Sequence, residues 1–508
     1  MKLTLTFALQ ASQIMRQIGF VLTSVLLAKS GLPISDIGVF ETLLFIGTTL
    51  SYFWINGLIQ SQLAFMPTIS EKEKQSVNFS IALLFIGLSI VLYFTLILFP
   101  TLVLSALTAA PSLPYFDLFV LYLLFNLPPF FIEGYLIIEN KPLSILAFSS
   151  LSNLVLPFVI VIPLWLKQPF IVSFYGLIII GLMRFIYLVY FLIYFLIQFI
   201  IKNKTTNNNE IDHKTVNNNV IKGKIINNKS IIINYKQLDL IQLLIKLKRI
   251  RIIYLQLINY PQLKRFIQLS LPIMSYSLLN GFTMSFIFWI VGYYLSGDTA
   301  AFAVFRFGAR EFPLVMALTT GLSNAFVPIL AEKLQFSEKN QKNTEGSSDV
   351  RKGNTFYEIQ LLKSKTRWLW HILFPSSIVL MLSSKWLFPI VFNHQFKESA
   401  AIFNIFLLLL VSRALFPQTI LLALKQTKTL LIISIIETIS IVLMSFLGIY
   451  WFNTEGVAWA LVIGFLIEKI MIVVVLKRQF SIDFKDYTDV KWYFMYSIAL
   501  ILSYFIAF

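Results

Sequence analysis

The chain reads as a series of apolar runs of roughly twenty residues parted by short polar breaks, not as alternating strands of half that length. Thirteen such runs fall at approximately 4–28, 37–59, 79–99, 116–138, 143–166, 169–200, 266–295, 300–332, 368–392, 399–424, 429–451, 455–476 and 490–508. A helix of about twenty residues spans the roughly 30 Å hydrocarbon core of a bilayer. The backbone finds no hydrogen-bond partner in that core, so only helices and closed barrels cross it, and runs of this length predict helices. The expected fold class is an all-α polytopic membrane protein. In the first run Gln10, Gln13, Arg16 and Gln17 interrupt any continuous leader-like apolar segment, so it is read as the first span.

Composition agrees, with 57% apolar and 13% charged residues against about a quarter charged in ordinary globular chains. The net charge of +17 has a topological cause. Among alternate inter-span segments, one set carries only Lys29, Lys167 and Lys397, and the other carries the bulk of the remaining basic residues. Short cytoplasmic loops retain positive charge, which places the N-terminus in the cytoplasm and, with an odd number of spans, the C-terminus outside. Nucleic acid is not implied as a partner. Cysteine is absent and His213, His371 and His394 lie far apart, so no disulfide frame, thiolate nucleophile or metal cluster is expected. Nor is there a Ser/His/Asp constellation, a pair of catalytic carboxylates or a glycine-rich nucleotide loop. Neither an enzyme nor a bound cofactor is expected.

Two predicted cytoplasmic loops are long. Lys202 to Ser230 is rich in Asn and Lys and reads as a flexible insertion. Leu238 to Ile258 surrounds Lys246, Lys248, Arg249 and Arg251 with apolar residues, as an interfacial helix against anionic headgroups would. Gln335 to Lys365 reads as a second disordered connector.

The halves resemble each other. Gly38-Val39-Phe40 follows Asp36 as Ala303-Val304-Phe305 follows Asp298, and Met66-Pro67 is matched by Val327-Pro328. This predicts two six-helix bundles, residues 1–201 and 265–477, joined by a basic linker at 202–264 and followed at 478–508 by a loop and an extra span. Transporters built from repeats hold substrate between the bundles and rock them to alternate access.

Several spans carry charge where charge is costly. In span 1, Gln10, Gln13, Arg16 and Gln17 share one broad helical face; Arg306 and Arg310 lie one turn apart in span 8; Arg184 and Arg413 lie mid-span. Five arginines facing lipid would cost roughly 12–18 kcal/mol on insertion scales, so they must line a watery path or be paired. Such a path suits an anionic substrate. Arg16, Arg306 and Arg310 are favoured as ligand contacts because they fall in the first two helices of each half. Arg184 and Arg413 fit either a ligand or a clamp to an acid. Glu133, Glu437 and Glu468 are the acids available within spans, as clamp partners or as proton- or sodium-coupling groups, with Glu437 the leading coupling candidate. Lys385 and Lys469 lie nearer span ends, where snorkelling would explain them.

The run Arg310-Glu311-Phe312-Pro313 followed by Val327-Pro328-Ile329-Leu330-Ala331 resembles the pattern of MurJ-type lipid flippases. Arg16 with its glutamines, followed by Ser35-Asp36-Ile37-Gly38-Val39-Phe40, looks like the start of Wzx-type polysaccharide flippases. Both belong to the multidrug/oligosaccharidyl-lipid/polysaccharide (MOP) exporter superfamily. The resemblance implies two six-helix lobes in a V around a cationic central cavity, and passage of an undecaprenyl-pyrophosphate-linked glycan across the bacterial inner membrane for a polysaccharide polymerase to use. It also implies that Arg16, and Arg306 or Arg310, are cavity arginines. A lipid II flippase, a MATE-type multidrug exporter and a membrane polymerase or ligase are the rival readings.

Overall fold

A computed structural model describes residues 5–71, 73–217, 259–341, 348–424 and 426–507, and among these there is no strand. The helices run in the order α1 (Leu5–Ala28), α2 (Ile34–Phe65), α3 (Lys74–Leu98), α4 (Pro100–Thr108), α5 (Phe116–Asn126), α6 (Phe130–Ile138), α7 (Pro142–Leu154), α8 (Leu156–Trp165) and α9 (Ile171–Asn217). They continue with α10 (Tyr260–Tyr294), α11 (Thr299–Gly308), α12 (Pro313–Gln341), α13 (Ser348–Val391), α14 (Ser399–Leu407), α15 (Leu409–Arg413), α16 (Pro417–Ala423), α17 (Thr427–Phe480), α18 (Phe484–Tyr487) and α19 (Val490–Ala507). Among the described residues, nine helices are long and apolar enough to cross a membrane, and eleven if each of two pairs bent by 44° and 45° counts as one span. The fold is that of an all-α membrane protein. Within the 54-residue α17 the backbone leaves helical geometry at Phe452 and Asn453 and turns back on itself. Gly448 and Gly456 make that turn possible: a Cβ on Gly456 would stand 2.0 Å from the Gly448 carbonyl oxygen.

Four hydroxyls of α1 and α2 are satisfied within their own helix. Thr23, Thr42, Ser51 and Ser61 each donate to the carbonyl four residues earlier, which is Gly19, Gly38, Gly47 and Gly57. This keeps the polar group bonded in hydrocarbon, and Gly19, Gly38 and Gly57 also admit a neighbouring helix. A Cβ on Gly38 would lie 1.7 Å from the Thr299 carbonyl oxygen, and one on Gly57 would lie 2.5 Å from Met274 Cγ. The first contact sets the opening of α2 on the start of α11, and beyond it α2 runs antiparallel to α10. Thr49 bonds Ser285 at 3.3 Å, Asn56 bonds Ser277 at 3.4 Å, and Phe65 meets Phe266 with ring centroids 5.6 Å apart.

The end of the bundle that carries Lys29 is tied across the two halves of the sequence. Lys29 Nζ donates to the Ile390 carbonyl and Asn393 Nδ2 to that of Ala28, both at 2.7 Å, and Thr299 Oγ1 donates to the Ser35 carbonyl at 3.0 Å. A small apolar cluster of Ala28, Ile37, Ala303, Phe307, Phe388, Phe396 and Ala400 seals the same end, with Phe307 stacked on Phe396 at 4.0 Å. At the opposite end Glu73 accepts bonds from Ser70, Asn259 and Gln262. The Ser70 hydroxyl first, then the two amides, hold its carboxyl below the ordinary value of 4.5. A group with a lowered folded-state pKa stabilises the fold above its ordinary pKa and loses that contribution as pH falls through the lowered value. Thermal midpoints measured downward from pH 5 should therefore fall more steeply for the natural chain than for Glu73→Gln, which has no such proton to bind.

Two sequence expectations need correction. The stretch from Lys202, expected to be flexible, is helical as far as Asn217 because α9 continues through it, and the second connector is helical over 335–341 and again from Ser348 to Lys365. Extending an existing helix gains a hydrogen bond per residue without a new nucleation step, so polar sequence can follow an apolar span. The stretch Leu238–Ile258 lies outside the described residues. The extra span α19 docks on α13, where Arg367 pairs with Asp489 at 3.1 Å and His371 Nδ1 bonds the Tyr496 hydroxyl at 2.6 Å.

Candidate functional site

The apolar run at 300–332 is not one helix. α11 ends at Gly308, whose close approach to Ser399 and Ile402 leaves no room for a side chain, and α12 begins at Pro313. Proline disfavours helical geometry in the residue before it, and Ala309 to Phe312 form a break. Broken helices inside a bundle place charged groups where a cavity or partner can meet them. Here the break carries Arg310 and Glu311, which reach in different directions. Arg310 Nη2 donates to Glu41 Oε1 at 2.9 Å, and Glu311 Oε1 accepts from Arg413 Nη2 at 2.9 Å. Arg306, at the end of α11, donates through Nε to Glu41 Oε2 at 3.2 Å. The expected stacking of Arg306 and Arg310 on one continuous helix is therefore corrected: α11 ends at Gly308, before Arg310, yet both arginines reach the same carboxylate.

Glu41 is 1% exposed, on α2. Its arginines are walled by aromatic rings, Arg306 over Phe288 at 4.2 Å and Arg310 against Phe307 at 4.4 Å and Phe20 at 4.7 Å. Arg310 Nη1 is buried with no hydrogen-bond partner.

A second ion pair lies within α1 and α6. Arg16 Nη2 bonds both oxygens of Glu133, at 2.9 and 3.2 Å, and its side chain is half exposed. Arg184 of α9 is buried, donates to Asn126 Oδ1, and lies 5.2 Å from the rings of both Phe130 and Phe148. Asn126 ends α5 because Pro128 and Pro129 follow, and Glu133 sits in the first turn of α6 after that break.

Two neighbouring cavities share Arg16, Thr48 and Tyr122. One, of about 190 Å³, has Glu41 and Arg306 in its wall. The other, of about 330 Å³, is lined by Ser51, Asn56, Asn126 and Glu133. The structure thus brings Arg16 and Arg306 to one cavity, with Arg310 behind Glu41 and Arg184 behind Asn126.

Other expected site residues lie apart. Gln13 and Gln17 are exposed on α1 and are not in the wall of either cavity, and the side chain of Gln10 lies outside the described residues. Arg413 pairs with Glu311 and stacks on Phe465 at 4.5 Å. Glu437 and Glu468 are buried in the two arms of α17, which cross where a Cβ on Gly464 would meet Ile441. Lys469, expected near a span end as the partner of Glu468, does pair with Glu468 at 2.9 Å, but it is buried rather than snorkelling and also donates to Gln418 Oε1 at 3.2 Å, which together offset its burial. Among the described residues no three His, Asp or Glu side chains are grouped to hold a metal.

The sequence reading missed Glu41. It follows Gly38-Val39-Phe40 directly and stands 265 residues before Arg306, the offset that relates Phe40 to Phe305. The two residues therefore occupy corresponding positions of the proposed repeat with opposite charge, and that correspondence was the available signal. The other matched feature differs: Met66-Pro67 begins a short 3-10 turn, while Val327-Pro328 lies within α12.

No protein-family model and no curated protein sequence matches the chain. Solved structures do. A lipid II flippase MurJ in an inward closed conformation superposes with a TM-score of 0.56 at 16% identity, over 99% of this chain and 97% of that one. An inward-facing multidrug resistance MATE family transporter of the MOP superfamily follows, with a TM-score of 0.53 at 13% identity over 97% of this chain and 99% of that one. The chain has the MOP transporter fold. A third MOP transporter, from Pyrococcus furiosus, aligns with a TM-score of 0.52 at 12% identity over 98% of this chain and 95% of that one. At these identities the likeness lies in the MOP fold, and function has to be argued from the site.

Proposed function

We propose that the protein moves an undecaprenyl-pyrophosphate-linked oligosaccharide, a repeat unit of O-antigen, capsule or exopolysaccharide, from the cytoplasmic to the outer leaflet of the bacterial inner membrane by alternating access. The observation that carries this reading is the charge around the two cavities. Arg16 and Arg306 in the walls are balanced by Glu41 and Glu133, and Arg310 and Arg184 directly behind them leave these six residues with an excess of two positive charges. A pyrophosphate diester brings about two negative charges, and planar guanidinium groups bind phosphate oxygens in pairs. Ser51, Asn56 and Thr48 supply hydroxyl and amide groups to the sugars from the same cavity walls.

With the N-terminus in the cytoplasm, the tied Lys29 end faces outward. The structural neighbour described as a lipid II flippase supports a lipid-linked cargo, and the Pyrococcus furiosus transporter, described by a reversed polarity of its binding pocket, supports assigning cargo by pocket charge. A cationic-drug exporter would need an available carboxylate, whereas both cavity carboxylates are held by arginines. Depleting the protein in cells tests the reading. Undecaprenyl-linked oligosaccharide should accumulate on the cytoplasmic leaflet with no new drug sensitivity; unchanged glycolipid with raised sensitivity to cationic drugs would assign drug export instead.

A further inference from the structure

Glu41 is an acid standing where an anionic cargo has to bind. Its two oxygens are taken by different residues, Oε2 by Arg306 Nε and Oε1 by Arg310 Nη2, as two oxygens of a phosphate would be. The match is incomplete, because Arg310 Nη1 remains buried without a partner. A carboxylate with both oxygens engaged leaves that donor over, while a pyrophosphate has oxygens to spare. The same three residues join α2 to α11 and to the break before α12, one turn from where Gly38 packs on Thr299. This is the end that Lys29, Asn393 and the Phe307–Phe396 stack close.

We infer that Glu41 is a displaceable internal anion: it occupies the two-arginine site in the absence of cargo and so holds the Lys29 end shut, and cargo pyrophosphate takes the arginines from it and releases that closure. The identity of the displacing group rests on the anionic-cargo reading above. Arg306 lies in the wall of the cavity that also holds Arg16, so a phosphate entering there meets Arg306 while Glu41 is still bound to it. Once displaced, the Glu41 carboxylate faces a like-charged pyrophosphate in a site with little water, and the repulsion drives α2 from α11. Closing the Lys29 end again requires the anion to leave, which ties the conformational cycle to one cargo per turn.

The test uses the purified full chain and inorganic pyrophosphate as the probe. Glu41→Gln keeps the shape and removes the charge. It should bind pyrophosphate roughly tenfold or more tighter than the natural chain, the scale of coupling between competing sites. With Ala28→Cys and Asn393→Cys introduced into a chain that has no cysteine, disulfide formation should report closure of the Lys29 end. Its yield should fall with Glu41→Gln, and in the Glu41 chain it should fall when pyrophosphate is added. Glu41→Asp, made in case the glutamine variant does not fold, keeps the charge but shortens its reach and should bind with intermediate affinity. Equal pyrophosphate affinity in natural and variant chains overturns the inference and leaves the anionic-cargo reading standing. Pyrophosphate binding to none of them overturns both.

Discussion

Alanine at both Arg306 and Arg310 should slow glycolipid translocation about a hundredfold or more. Each charge-assisted bond lost to a phosphate is worth about 1.5–3 kcal/mol, and every 1.4 kcal/mol is a factor of ten, so two such bonds span roughly two to four decades. The double substitution has a second effect: it strands Glu41, 1% exposed, without a counter-charge. Breaking a buried pair from one side costs about 3–5 kcal/mol, so the thermal midpoint should fall as well. The two effects can be separated. Adding Glu41→Ala removes the stranded carboxylate and should recover most of the stability while leaving translocation as poor as in the double variant. Recovery of translocation along with stability would show that the arginines serve only to neutralise Glu41.

Valine at Gly38 should destabilise the chain by about 3 kcal/mol, at the upper end of ordinary overpacking. The new Cβ would begin 1.7 Å from the Thr299 carbonyl oxygen, which belongs to the backbone and cannot rotate away as a side chain would. The helix N-terminus at Thr299 has to move. That residue caps the tied end through its bond to the Ser35 carbonyl, and Glu41 lies one turn further along α2, so the displacement also pulls the carboxylate from Arg306. Disulfide formation between cysteines at 28 and 393 should drop in this variant even without cargo. Normal crosslinking together with a normal thermal midpoint would mean that the α2 to α11 contact is not a fixed joint.

What the sequence made legible follows from the cost of charge and bare backbone in a bilayer. Apolar length marked the spans, and mid-span arginines marked residues needing a cavity or a partner. Partners were harder to read because pairing joins positions hundreds of residues apart. Arg16 with Glu133 came from two residues flagged separately, and Arg306 with Glu41 came from one flagged and one passed over. Glu41 lies near the predicted start of its span, where a single acid looks like a loop residue; only its correspondence to Arg306 distinguished it. The break at Ala309–Phe312 was legible only in part. Pro313 and the charged pair Arg310-Glu311 before it mark a bend, but a proline at the start of a helix costs little, so the sequence did not separate one bent span from two helices. The helical reach of α9 to Asn217 shows the converse, since propagation from a stable span overrides local polarity.

The most direct measurement is leaflet exchange of undecaprenyl-pyrophosphate oligosaccharide in vesicles reconstituted with the purified chain, followed by access of an added glycosidase to the glycan. The account predicts that glycan shielded in the inner leaflet becomes accessible when the protein is present, and that vesicles carrying Arg306→Ala/Arg310→Ala remain close to protein-free ones. Leaflet exchange equal with and without the protein would contradict it.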